Sequence, residues 1–207
     1  MLDLVLPLAC GGCGALSTRW CEACAGAFLA EPVVVTTRVD PGVPVLSLGR
    51  YAAVRRQAIV TMKDRGRRDL SVPLGLALTR GVDQLLRWRL IERPVTLVPA
   101  PTRWTSARAR GGDPVTAVAG IATRIPGVHV ASLLRMKLGA RDSVGLSVSA
   151  RQRNVAGRIA VRRGPRPDTE LVLVDDVVTT GATAAESVRV LRTAGFRVAA
   201  VLTLTYS

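Results

Sequence analysis

The sequence predicts an α/β fold, with a central, mainly parallel sheet flanked by helices and a small zinc-binding module at the N-terminal end. Three features carry that prediction. Leu171–Val174 is an unbroken apolar run that ends in two acids, Val95–Val98 is a second such run, and four cysteines stand at positions 10, 13, 21 and 24. Short continuous apolar runs suit strands of a parallel sheet covered on both faces. At 207 residues, 48% of them hydrophobic, the chain can bury one α/β core and carry a small appendage.

Taken in chain order, the cysteines come first. Cys10, Cys13, Cys21 and Cys24 form CxxC, seven intervening residues, and CxxC. Two such knuckles can supply four thiolates to one tetrahedral zinc. Gly11, Gly12 and Gly14 help the first knuckle turn tightly. A chain with no further cysteine gives little reason to expect structural disulfides. Zinc is therefore favoured over a redox pair, or over a module that keeps the spacing without metal. It would be structural, because four thiolates leave no open position for an activated water. Residues 1–32 are assigned to this module and 45–207 to a second domain, with Pro32, Pro41, Gly42 and Pro44 punctuating the passage between them.

Val54, Ala58 and Met62 give one face of a helix ending at Lys63, and Leu74, Leu78 and Leu85 mark another that Pro73 could start. Val95–Val98 is the next strand. The segment after it, PAPTRWTSARARGGDP, is polar and full of punctuators, so it reads as a loop. Asp113 and Pro114 make an N-cap and first-turn pair for a helix carrying Val115, Val118 and Ala122. His129, the single histidine, is expected near a strand end and is given no role.

The stretch Leu171–Thr183, LVLVDDVVTTGAT, is the most telling. Its apolar run puts Asp175 and Asp176 at the carboxyl end of a central strand, where open α/β sheets collect ligands. Thr179, Thr180, Gly181, Ala182 and Thr183 then lead into a segment where Ala184, Val188 and Leu191 recur at helical spacing, stopped by Gly195. A small, hydroxyl-rich loop at a helix N-terminus offers N–H groups and a positive dipole end to a phosphate. The attached ribose would lie back toward the two carboxylates, which can accept hydrogen bonds from vicinal hydroxyls. The spacing suits a ribose 5-phosphate. An ATPase reading of the strand would require an upstream GxxxxGK[ST] loop, which the sequence lacks. The plainer alternative is a buried strand followed by an exposed turn.

These thirteen residues resemble the 5-phosphoribosyl 1-pyrophosphate (PRPP) motif of type I phosphoribosyltransferases, and the whole chain resembles the ComF family, which joins a cysteine module to such a domain. The matching stretches are CGGC and CEAC, Tyr51 through Lys63 with Gly66, VPAP at Val98–Pro101, Arg110-Gly111, and Arg135 to Asn154. The resemblance implies a type I phosphoribosyltransferase fold. It also implies PRPP binding by Asp175, Asp176, Val177, Val178, Thr179, Thr180, Gly181, Ala182 and Thr183, with Ala100, Arg108 and Arg110 on the pyrophosphate. Asp175, Asp176 and Arg110 would be catalytic, and magnesium would accompany PRPP. The segment Arg135–Asn154 matches a hood that closes over the ligand, with Gly139 and Gly145 allowing the movement. Two departures stand out: Gly112-Asp113 where relatives carry aromatic-Asn, and Asp142-Ser143 where many carry glutamine. Asp113 would also put a negative charge near the pyrophosphate pocket.

The formal charge is +14, with 29 basic residues, of which only Lys63 and Lys137 are lysines. Such a balance admits nucleic acid as a partner, although it also suits a polyanionic substrate. Aromatic residues make up 3% of the chain, which argues against a stacking platform for single strands. No apolar run reaches the roughly 20 residues that span a bilayer, and the N-terminal stretch lacks a basic start and a cleavage region, so a cytoplasmic protein without membrane insertion is expected. The acceptor and the oligomeric state are not written in the sequence. Three classes follow: a phosphoribosyltransferase, a non-enzymatic PRPP-responsive regulator, and a nucleic-acid-binding protein acting with competence proteins in DNA uptake, the last being the context that the ComF resemblance implies.

Overall fold

A computed structural model describes residues 8–102, 112–137 and 155–207. Six strands form one sheet in the order β1 (Val33–Val34), β2 (Val45–Ser47), β8 (Val198–Tyr206), β7 (Glu170–Val178), β3 (Val95–Pro99) and β4 (Val128–Val130). All neighbours are parallel except β1, which runs antiparallel along β2. A separate antiparallel hairpin pairs β5 (Leu134–Met136) with β6 (Ile159–Val161).

The apolar run at β7 is explained by helices on both sides. Val172 and Val174 point into a cluster with Leu46, Ile59, Leu74, Leu78 and Leu202. That cluster is built under α2 (Ala53–Asp64), α3 (Ser71–Arg87) and α4 (Pro114–Ile121). Leu171 and Leu173 point the other way, into a cluster with Leu134, Ile159, Val188 and Leu191 contributed by the β5–β6 hairpin and α5 (Ala182–Thr193). Period-2 alternation thus gives each face its own core, and a strand with both faces buried must be apolar throughout. The fold is mixed α/β with a mostly parallel central sheet, as expected.

Three local expectations are adjusted. β7 runs four residues past its apolar run, to Val178, because β8 keeps pairing with it as far as Val178↔Tyr206. The acids therefore lie inside the strand. Pro73 is the third residue of α3, which Ser71 opens after a short 3-10 turn at Arg68–Leu70; proline is tolerated there because first-turn N–H groups have no intrahelical partner. His129 is the middle residue of β4 and exposed.

The cysteine segment, with its short helix α1 (Glu22–Gly26), packs on the first face of the sheet. Phe28 is buried in the main cluster, Trp20 packs against it with ring centroids 5.9 Å apart, and the Arg55 guanidinium lies 5.8 Å from the Phe28 ring centre. Arg67 donates to the Ala9 carbonyl at 2.9 Å while paired with Asp69. Among the described residues, no helix is long and apolar enough to cross a membrane.

Candidate functional site

β3 has β7 on one side and β4 on the other, whereas the chain leaves β7 in the opposite direction, toward β8. The strand order therefore reverses between β3 and β7, and in an open α/β sheet the crevice at such a switch point is where ligands bind. Pairing between the two ends at Pro99↔Val174, sealed by the Ala100 N–H donating to the Val174 carbonyl at 2.8 Å. One residue further on come Asp175 and Asp176, still supported by β8 through Asp175↔Thr203 and Val177↔Thr205.

Neighbouring residues of a strand face opposite ways, and the two acids have correspondingly different surroundings. Asp176 is buried, and its Oδ2 lies 2.5 Å from Lys63 Nζ at the end of α2. Its Oδ1 accepts the Val177 N–H at 2.8 Å, and its carbonyl accepts the Thr205 hydroxyl at 3.0 Å. Asp175 is half-buried, and its Oδ1 accepts the Asp176 N–H at 2.8 Å. Desolvation and then the adjacent Asp176 carboxylate push the Asp175 carboxyl well above the usual carboxylate range, while the Lys63 ammonium pulls the other way.

The loop that follows is shaped by contacts from a distant segment. Thr179 is exposed and Thr180 is buried, its carbonyl accepting the Val39 N–H at 2.9 Å and its hydroxyl the Ala182 N–H at 3.3 Å. Gly181 is the N-cap of α5 with φ +83°, and a Cβ there would come within 2.4 Å of the Val39 carbonyl oxygen and 2.7 Å of Thr37 Cβ. Only glycine meets both demands, the left-handed backbone and the close approach. The first turn of α5 then begins at Ala182 and Thr183, so the small-residue loop does end at a helix N-terminus, an arrangement suited to an anion.

Ala100 is buried at the end of β3, on the wall of a cavity of about 550 Å³ shared with Thr102, Asp113, Arg135 and Arg162. Asp113 caps α4 as expected, accepting from the Val115 N–H at 3.3 Å. Its carboxylate also accepts from the hydroxyls of Thr102 at 2.9 Å and Thr116 at 2.5 Å. Its charge is thus committed to pinning the loop to the helix. Arg108, Arg110 and Gly111, together with the hood segment from Gly139 to Asn154, lie outside the described residues; Arg135 is on β5.

The four cysteines come together. All four Sγ atoms lie within 4.8 Å of one another, with Cys10–Cys24 and Cys13–Cys21 each at 3.6 Å. Four sulfurs at about 2.3 Å from one zinc would stand about 3.8 Å apart, so the donor set fits a tetrahedral metal. Gly12 is needed for this packing, since a Cβ there would lie 2.6 Å from Cys24 Sγ. Burial pushes the Cys10 thiol up, but hydrogen bonds from the backbone of Cys13, Cys21 and Gly12 and from the Cys24 thiol outweigh it and bring Cys10 down to about 6. Cys24, buried and hydrogen-bonded to the other thiols, is pushed up.

Sequence reasoning located the acids, the loop and the cysteines but missed Lys63 as the partner of Asp176, and Thr37 and Val39 as the backing of Gly181. A signal for the first existed: two adjacent acids on a buried strand need a cation, and the chain has two lysines. Nothing local marks the second.

No family model matches the sequence, and no curated protein matches it. Among solved structures, orotate phosphoribosyltransferase from Aeropyrum pernix is similar at 21% identity with a TM-score of 0.38, over 88% of this chain and 77% of that one.

Proposed function

We propose that the protein binds PRPP and transfers its phosphoribosyl group, as a ComF-like phosphoribosyltransferase with a structural zinc. One observation carries this reading: the acid pair sits just past the last β3–β7 pairing, followed at once by a glycine-closed loop at the N-terminus of α5. A carboxylate for ribose hydroxyls and a helix N-terminus for a 5-phosphate then follow one another along the chain.

In this proposal the loop Thr179–Thr183 fixes the 5-phosphate, and Asp175 and Asp176 favour positive charge developing on the ribose ring as the bond from the anomeric carbon to pyrophosphate breaks. Pyrophosphate leaves with the bonding pair, and a nucleophilic atom of the acceptor forms the new bond to that carbon. Arg108, Arg110 and the backbone at Ala100 are assigned to the departing pyrophosphate. Magnesium would supply further charge neutralisation; with Asp176 already paired to Lys63, the ion would be held mainly by substrate oxygens. The cysteine cluster, having no open coordination position, serves the fold.

Calorimetric titration of PRPP with magnesium tests the pocket, and release of pyrophosphate tests turnover. Binding lost in Asp175→Asn is the expected result; a folded wild type that binds no PRPP would remove the proposal. The net charge of +14 supports a second reading, a DNA-associated protein, which requires an affinity for DNA that falls steeply with salt.

A further inference from the structure

We infer that Lys63 is a positioning residue of this site, which gives the two neighbouring carboxylates different tasks: Asp176 is spent on locking β7 to α2, and Asp175 alone meets the ligand. The inference rests on the reading above for what the ligand is, but its geometry stands independently. Asp176 is the better buried of the ion-paired groups, its side chain 5% exposed against 30% for Lys63, so the ammonium reaches inward to the carboxylate rather than the reverse. The same residue spends Oδ1 on the Val177 N–H and its carbonyl on Thr205, which leaves Asp176 tied on three sides to α2, β7 and β8. Asp175 makes one local bond, to the Asp176 N–H, and stays partly open where β3 has ended.

The arrangement answers a physical difficulty. Two adjacent carboxylates on a buried strand repel one another, and each disfavours ionisation of the other. A cation paired with one of them offsets part of that repulsion, and Lys63, bonded to Asp176, also pulls against the Asp176 charge felt by Asp175. Lys63 thereby holds Asp175 in place without touching the ligand.

The test has two arms. In the first, melting temperatures are compared for Lys63→Met, Asp176→Asn and the double variant. Lys63→Met strands a buried carboxylate and should lower the melting temperature by about 10 °C. Asp176→Asn, whose ammonium can turn to solvent, should lose less, and the double variant should regain most of what Lys63→Met loses. In the second arm, calorimetry with magnesium and PRPP should find binding abolished in Asp175→Asn, about tenfold weaker in Lys63→Met and restored in Lys63→Arg, a rescue that a merely stabilising lysine would not give. A double variant no more stable than Lys63→Met, or equal losses of PRPP affinity in Asp175→Asn and Asp176→Asn, would overturn the inference. If wild-type protein binds no PRPP, the functional proposal fails while the melting arm still decides whether Lys63 holds Asp176.

Discussion

In the cysteine cluster, four ionisable thiols converge within 4.8 Å; burial of Cys10 is outweighed by backbone N–H groups, which lower it, while burial and then the other thiols raise Cys24. Inside β7, just past its last pairing with β3, two carboxylates stand side by side, one supplied with a lysine from another element and the other left with a raised pKa. Both regions crowd groups that repel when charged. The first gathers four donors close enough for one metal ion to bridge them, whereas the second brings its own cation to one acid and leaves the other without one. The difference teaches how two crowded sets of acidic groups can be told apart: in one all four donors converge on one another, and in the other one donor is paired with a lysine and its neighbour stays half-buried without one.

The largest expected effect lies on the cysteine side. Purified protein should contain about one zinc per chain, and chelation should lower the melting temperature by about 10 °C or more, because Phe28 and Trp20 carry the module into the main core. Zinc-free protein that melts like the holo form would break the comparison. Next comes Gly181→Ala, which must move the Val39 carbonyl and strain a left-handed backbone; a loss of about 2 kcal/mol is expected in denaturant unfolding, with loss of ribose 5-phosphate binding.

A smaller and opposite effect is expected at Asp175. Its folded-state pKa is raised, so the native chain binds the proton more tightly than the unfolded chain, and stability falls as pH rises from the ordinary aspartate value toward the folded one. Asp175→Asn should therefore melt higher than wild type at neutral pH, and the gap should close in acid, below the ordinary aspartate pKa. A variant destabilised at neutral pH would show that Asp175 serves the fold. Smallest is the exposed pair Arg87–Asp83 on α3, where Arg87→Ala should change stability by no more than about 0.5 kcal/mol. It calibrates how little a charge pair is worth away from both regions.

What the sequence made legible was local. The apolar run of β7, the spacing of the cysteines, the N-cap at Asp113 and the small-residue stretch Thr179–Thr183 each declare themselves within a few residues, through periodicity, coordination chemistry or backbone preference. The true length of β7 was hidden because its last residues are kept in the sheet by β8 rather than by their own apolarity. Lys63 reads as the end of an amphipathic helix, and its pairing with Asp176 depends on how α2 lies across the sheet. Thr37 and Val39 sit in a stretch that sequence alone treats as a linker, and only the fold brings it against Gly181.

The strand order also sets a schedule for synthesis. The Cys10–Cys24 contact spans 14 residues, so the knuckles can close around a metal soon after they leave the ribosome. β2 is different: its parallel partner is β8, and the Thr203–Leu46 hydrogen bond spans 157 residues. Until β8 has been made, β2 has only the two-residue β1 beside it, and its other edge stays open to any strand that comes near. Between the making of β2 and that of β8 the nascent chain thus carries a closed cysteine segment beside an unfinished sheet, and the central strands are the part that a chaperone would have to shield.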